Sequence, residues 1–129
     1  MKYFTDGAGK GKNNFGRCAF VREDGYQKIE EFNRIQTSNE AEYLGIILAL
    51  EDALKNKYIS TEIYSDSLLI VNQLNKKYRL TRVNLAKLAK IIWEKYPEIN
   101  KSFIWVSRKE NEAGKLLEKA KKENLNEML

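Results

Sequence analysis

The sequence of 129 residues contains no histidine, one cysteine and one proline. Without histidine, and with Cys18 alone, the chain cannot assemble a Ser-His-Asp or Cys-His nucleophilic triad, a zinc site of Cys and His, or an internal disulfide framework. Carboxylates and metal ions are then the expected chemical tools of an enzyme of this composition. No apolar run approaches the roughly 18 residues of a membrane span. The opening residues, Met1 to Asp6, enter a strand pattern and not a signal peptide. A cytoplasmic protein with no membrane partner is therefore expected. Cys18 lies in the apolar, strand-like stretch from Phe15 to Val21, where a lone cysteine acts as a small buried hydrophobe.

The chain is long enough for one sizeable core and too short for two, so a single domain over residues 1–129 is expected. A net charge of +5 favours a polyanionic partner. The basic residues gather at Lys10 and Lys12, from Lys76 to Arg82, and in the last third, where Lys115 to Lys122 read as a solvated helix face.

Three extended segments come first: Lys2 to Thr5, Gly16 to Arg22 and Gln27 to Arg34. Asp24-Gly25 is a hairpin signal between the second and third, so an antiparallel meander is predicted. A helix follows over about Asn39 to Asn56, with Ser38 or Asn39 as N-cap and Tyr43, Ile46, Ile47, Leu50, Ala53 and Leu54 as its apolar stripe. Thr61 to Ser65 reads as a strand and Ser67 to Leu74 as a short helix. After a basic connection, Asn75 to Arg79, a long helix runs from about Arg82 to Lys95 and stops before Pro97. Ser102 to Val106 is the last strand. The final helix, about Glu112 to Asn126, sets Ala113, Leu116, Leu117, Ala120 and Leu125 on one side. Trp93 and Trp105 fall on apolar periodic faces and are assigned to the core. This order predicts an α/β domain with a mixed sheet of five strands, the first three antiparallel and the last two parallel to the first, flanked by helices.

Three carboxylates fall at element ends that such a fold can bring together. Asp6 closes the first strand, Asp66 closes the fourth, and Glu42 lies in the first turn of the first long helix. Each has an ordinary structural explanation: Asp6 starting a turn with Gly7, Asp66 capping the next helix, Glu42 on a solvated turn. Converged at the carboxyl ends of neighbouring strands, however, they repel one another unless a cation or a proton neutralises them. Oxygen-only ligation suits Mg²⁺ or Mn²⁺.

Three separated motifs resemble those of type 1 ribonuclease H, and the resemblance covers nearly the whole chain. Tyr3-Phe4-Thr5-Asp6-Gly7-Ala8 is similar to that family's opening strand and first catalytic aspartate. Thr37-Ser38-Asn39-Glu40-Ala41-Glu42-Tyr43 is similar to its Thr-Asn-Asn-x-Ala-Glu-Tyr signature, with Glu42 as the catalytic glutamate. Ile63-Tyr64-Ser65-Asp66-Ser67, followed by Val71-Asn72-Gln73-Leu74, resembles its second catalytic aspartate and the helix after it. A fourth carboxylate normally opens the final helix in an Arg-x-x-Asn-x-x-Ala-Asp context. Here Arg108 to Leu116 is one residue shorter, Gly114 stands at the aspartate position, and Glu110 and Glu112 are the candidate substitutes.

The resemblance implies a ribonuclease H-like fold and an endoribonuclease that cuts the RNA strand of RNA–DNA hybrids, leaving 5′-phosphate and 3′-hydroxyl ends. It implies one or two Mg²⁺ or Mn²⁺ ions on Asp6, Glu42 and Asp66, with two ions about 4 Å apart across the scissile phosphate. It places Gly7, Ser38 and Asn39 against the hybrid's minor groove. Lys10, Lys12, Lys76, Lys77 and Arg79 are candidate phosphate contacts. Two other readings remain: a nucleic-acid-binding pseudoenzyme weakened by Gly114, or a related DNA nuclease or resolvase.

Overall fold

The structure, a computed structural model, describes residues 1–9, 16–33 and 37–127. Lys10, Lys12, Arg34 and the side chain of Leu125 lie outside the described residues. Five strands, β1 (Lys2–Ala8), β2 (Gly16–Arg22), β3 (Gln27–Phe32), β4 (Ser60–Ser65) and β5 (Asn100–Trp105), form one mixed sheet in the order β3-β2-β1-β4-β5. The first three make the antiparallel meander, and β4 and β5 run parallel to β1. Among the described residues, four helices flank it: α1 (Ser38–Lys55), α2 (Leu68–Leu74), α3 (Val83–Glu94) and α4 (Glu112–Glu127), the last preceded by a 3₁₀ turn at Arg108–Glu110. The α/β architecture and the order of elements are those expected from the sequence. At the β2–β3 hairpin, Gly25 takes the left-handed conformation the turn requires, with φ of +94°.

Beyond the broad agreement, two features of β1 and α1 differ from the sequence-based expectation and matter for the site. β1 does not stop at Thr5. Asp6, Gly7 and Ala8 continue the ladder opposite Ala19, Cys18 and Arg17. An Asp-Gly pair reads locally as a turn, but a long antiparallel partner supplies hydrogen bonds that outweigh that preference. The N-cap of α1 is Thr37, not Ser38 or Asn39: its Oγ1 accepts the Glu40 backbone N–H at 3.2 Å and donates to Glu40 Oε1 at 3.2 Å. This Thr-x-x-Glu arrangement is a variant of the capping box.

The core joins the sheet to α1 and α3 through Tyr3, Phe20, Tyr43, Ile46, Leu50, Ile63, Leu85 and Ile92, all buried. Buried Tyr43 donates to Gln73 Oε1 at 2.7 Å, which ties α1 to α2. Trp93 packs partly against this core and donates its indole N–H to Leu74 O. Trp105 does not belong to it. It is 49% exposed, on the edge strand β5.

Cys18 is a buried free thiol, and burial pushes its pKa up to about 12. Since the thiolate is the reactive species, the native protein at pH 8 is expected to resist a thiol reagent such as Ellman's, with full reaction only on adding denaturant. Rapid native labelling would contradict the burial. Among the described residues, no helix is long and apolar enough to cross a membrane.

Candidate metal centre

The site is built by the register of two parallel strands and by one close helix contact. Thr5 on β1 lies beside Ser65, the last residue of β4, so Asp6 and Asp66, one residue further along the chain from each, come out side by side. Glu42 arrives from α1, whose first turn rests directly on β1. A Cβ added to Gly7 would overlap the Ala41 carbonyl and the Glu42 nitrogen, and one added to Gly45 would lie 2.8 Å from Asp6 O. Only residues without a side chain permit so close an approach of helix and strand. The result is a group of three carboxylates, Asp6, Glu42 and Asp66, with one oxygen of each within 4.8 Å of the others.

Burial makes this arrangement unstable as a bare anion cluster. Asp6 is 2% exposed and Glu42 8%. Asp6 Oδ1 and Glu42 Oε2 are buried with no hydrogen-bond partner. Burial raises the Asp6 pKa, and the nearby Asp66 charge reinforces the rise. Burial also raises that of Glu42, with the Asp6 and Asp66 charges adding to it. Without a cation the pair is therefore driven to hold a proton. Two orphaned, inward-facing carboxylate oxygens beside a third carboxylate fit a hard divalent cation, which would take oxygen ligands and neutralise the repulsion. The donor set thus agrees with the Mg²⁺ or Mn²⁺ expected from the sequence, without selecting between them.

The helix α4 approaches the cluster at Gly114. A Cβ there would lie 3.4 Å from Asp6 Oδ2 and 3.8 Å from Asp66 Oδ2, in ordinary contact with both. Neither candidate substitute joins the cluster. Glu110 is exposed in the 3₁₀ turn, and Glu112 is exposed at the start of α4, where its carboxylate pairs with Lys115 at 3.2 Å. Both face solvent, while the buried positions of α4, which packs against β1 and β2, include Ala113, Gly114 and Leu117.

Two side chains that carbon-and-charge patterns did not single out touch Asp66. Asn111 Nδ2 donates to Asp66 Oδ2 at 2.9 Å, and Arg108 Nη1 lies 3.6 Å from the same oxygen. The available signal was the Arg-x-x-Asn motif around them, where attention to carboxylates alone passes over neutral and basic partners.

The candidate substrate residues are more dispersed. Gly7 lies beneath the first turn of α1. Ser38 is exposed and Asn39 half-buried at the start of α1, and neither is the helix cap. Lys77 and Arg79 are exposed between α2 and α3. Lys76, with φ of +60°, sets its ammonium 4.9 Å from the centre of the Trp93 ring. The seven-residue α2 separates this connection from Asp66 by a rise of about 10 Å.

Comparison with known proteins supplies the family. A family model described as reverse transcriptase-like matches residues 16–120, most of the chain. The chain belongs to this ribonuclease H-like family. Among solved structures, ribonuclease H1 from the halophilic archaeon Halobacterium salinarum is 25% identical, with a TM-score of 0.79 over 90% of this chain and 92% of that one. The ribonuclease H1 called LC11, solved in complex with an RNA/DNA hybrid, is 27% identical, with a TM-score of 0.71 over 90% and 91%. A bifunctional protein of Mycobacterium tuberculosis is 33% identical over 78 residues, 58% of this chain. This chain spans about a fifth of that relative's length, 21%. The type 1 ribonuclease H resemblance read from the three motifs is thereby borne out.

Proposed function

We propose that this ribonuclease H-like chain is a divalent-metal-dependent endoribonuclease that hydrolyses the RNA strand of RNA–DNA hybrids. The observation that carries the reading is the convergence of Asp6, Glu42 and Asp66, with two buried oxygens left unpartnered. The complex of LC11 ribonuclease H1 with a hybrid supports the choice of substrate. In this reading the three carboxylates hold the cation, Mg²⁺ or Mn²⁺. A cation bound there supplies Lewis-acid stabilisation of the phosphate and lowers the pKa of a bound water. Hydrolysis breaks the bond between phosphorus and the 3′-oxygen, leaving a 5′-phosphate and a 3′-hydroxyl.

The rest of the assignment follows from placement. Since Thr37 takes the capping role, the Ser38 and Asn39 side chains are left for the minor groove, where a hybrid displays 2′-hydroxyls. Gly7 keeps the strand close under that helix turn. Lys77 and Arg79, with Lys76 and the residues Lys10 and Lys12, contact phosphates and give affinity that falls with salt.

Gly114 supports a second reading, a pseudoenzyme that binds hybrids and cuts poorly, because no carboxylate of α4 joins the cluster among the described residues. Cleavage of a labelled hybrid with Mg²⁺ or Mn²⁺, beside duplex DNA and duplex RNA, separates the two. Cutting confined to the hybrid is the expected outcome; binding without cutting by either ion would favour the pseudoenzyme, and cutting of duplex DNA a related DNA nuclease. Gly114→Asp is expected to raise hybrid cleavage by about tenfold or more, the scale associated with an added metal-site partner. An unchanged rate would show that the α4 position contributes no ligand.

A further inference from the structure

Asn111 is fully buried and every polar group of its side-chain amide is engaged. Nδ2 donates to Thr5 O at 2.9 Å and to Asp66 Oδ2 at 2.9 Å, and Oδ1 accepts the Ala113 backbone N–H at 3.1 Å. The amide has one workable orientation. Reversed, its oxygen would face a carbonyl and a carboxylate, both acceptors. Its partners also matter: Thr5 directly precedes Asp6, Asp66 directly follows Ser65, and Thr5 and Ser65 are register partners. One side chain therefore bridges the two neighbouring strand segments that deliver the two aspartates, and anchors both to the start of α4.

We propose that Asn111 is a positioning residue of the metal centre, holding the Asp66 carboxylate toward Asp6 and Glu42 by a hydrogen bond from α4. The inference rests on the metal-dependent reading above and adds to it how α4 contributes without a carboxylate of its own. A second, weaker partner holds the same oxygen from the solvent side. Arg108, whose side chain is 65% exposed, lies 3.6 Å from Asp66 Oδ2 and offers that carboxylate a solvent-side ion pair. Without the Asn111 bond, that exposed ion pair is left as the hold on Asp66 Oδ2, and the cluster loses a pre-set ligand.

The test separates positioning from helix capping. Asn111→Ser retains a hydroxyl able to cap α4 through the Ala113 N–H but too short to reach Asp66; Asn111→Ala removes both roles. Mn²⁺ affinity is measured by titration calorimetry on the full chain, with folding followed by circular dichroism. The expected result is a loss of about 10- to 100-fold in Mn²⁺ affinity for Asn111→Ser, with the fold retained. In an Asp66→Asn background the same change is expected to add little, since the held carboxylate is gone. Wild-type affinity in Asn111→Ser, or an equal further loss in the Asp66→Asn background, would overturn the proposal. If Asn111→Ala does not fold while Asn111→Ser folds and binds weakly, the proposal stands, because the cap and the tether have then been separated. Failure of the wild-type chain itself to bind Mn²⁺ would overturn the metal reading and this inference together.

Discussion

Asp6→Asn is expected to abolish hybrid cleavage while making the metal-free protein harder to melt. The loss of rate should be at least about a thousandfold, because the cation's stabilisation of the phosphate is worth several kcal/mol and each 1.4 kcal/mol is a factor of ten. The gain in stability has a separate origin. Asp6 is buried beside Glu42 and Asp66, with Oδ1 unpartnered, so its charge penalises the fold. A neutral amide of the same shape removes a penalty of about 1–3 kcal/mol.

The pH dependence follows from the same penalty. The folded-state pKa of Asp6 lies above its ordinary 3.8, and that of Glu42 above its ordinary 4.5. The fold thus binds more protons than the unfolded chain between the ordinary and the raised values. Stability from these groups is complete below the ordinary values and is lost as the pH rises through the raised ones. Metal-free wild type should lose stability from about pH 4 upward on this account, and Asp6→Asn should show a shallower loss. Adding Mn²⁺ at a hundred times its Kd should stabilise wild type by about 2.7 kcal/mol and the variant by much less. Thermal melts over pH, with and without Mn²⁺, check all three statements. A variant less stable than wild type without metal would mean that the three carboxylates do not strain the fold.

Gly7→Ala carries the second large effect, on folding. The added methyl would overlap the Ala41 carbonyl group and the Glu42 nitrogen, both backbone. Overpacking against mobile side chains typically costs about 1–3 kcal/mol, and here no side chain can move aside. A loss of about 3 kcal/mol or more is expected, enough to lower Tm by roughly 10 °C. Urea unfolding gives the number. A variant with wild-type stability would show that α1 and β1 are not in contact at this point. The same displacement would separate Glu42 from Asp6, so surviving protein should also bind Mn²⁺ more weakly. Gly45→Ala meets Asp6 O at 2.8 Å, a single backbone atom, and should destabilise less.

Much of this was legible in the sequence because it depends on local pattern. The apolar, strand-like run of β2 and the helical spacing in α1 are local signals that need no knowledge of the rest of the chain. The Asp24-Gly25 turn has its own chemistry, and the absence of histidine removes the histidine-dependent triads and zinc sites. The motifs around Asp6, Glu42 and Asp66 identify the family because each couples a structural role to a polar residue at a set offset.

What the sequence left undecided concerns distance through space. Glu110 and Glu112 stand near the right place in the chain, yet both face solvent. Gly114 meets the cluster instead. Trp105 has a core-like pattern but lies on an edge strand, a property of sheet order and not of its neighbours in sequence. Asn111 carries no charge to draw attention, and its tie between Thr5 and Asp66 exists only once β1 and β4 are in register. By itself, then, the sequence determined the kinds of element, their order, the family motifs and the three acidic residues. The tertiary structure alone decided that those carboxylates meet, which fourth position faces them and what holds Asp66 in place, because strand register and the contact at Gly7 set separations that no local pattern encodes.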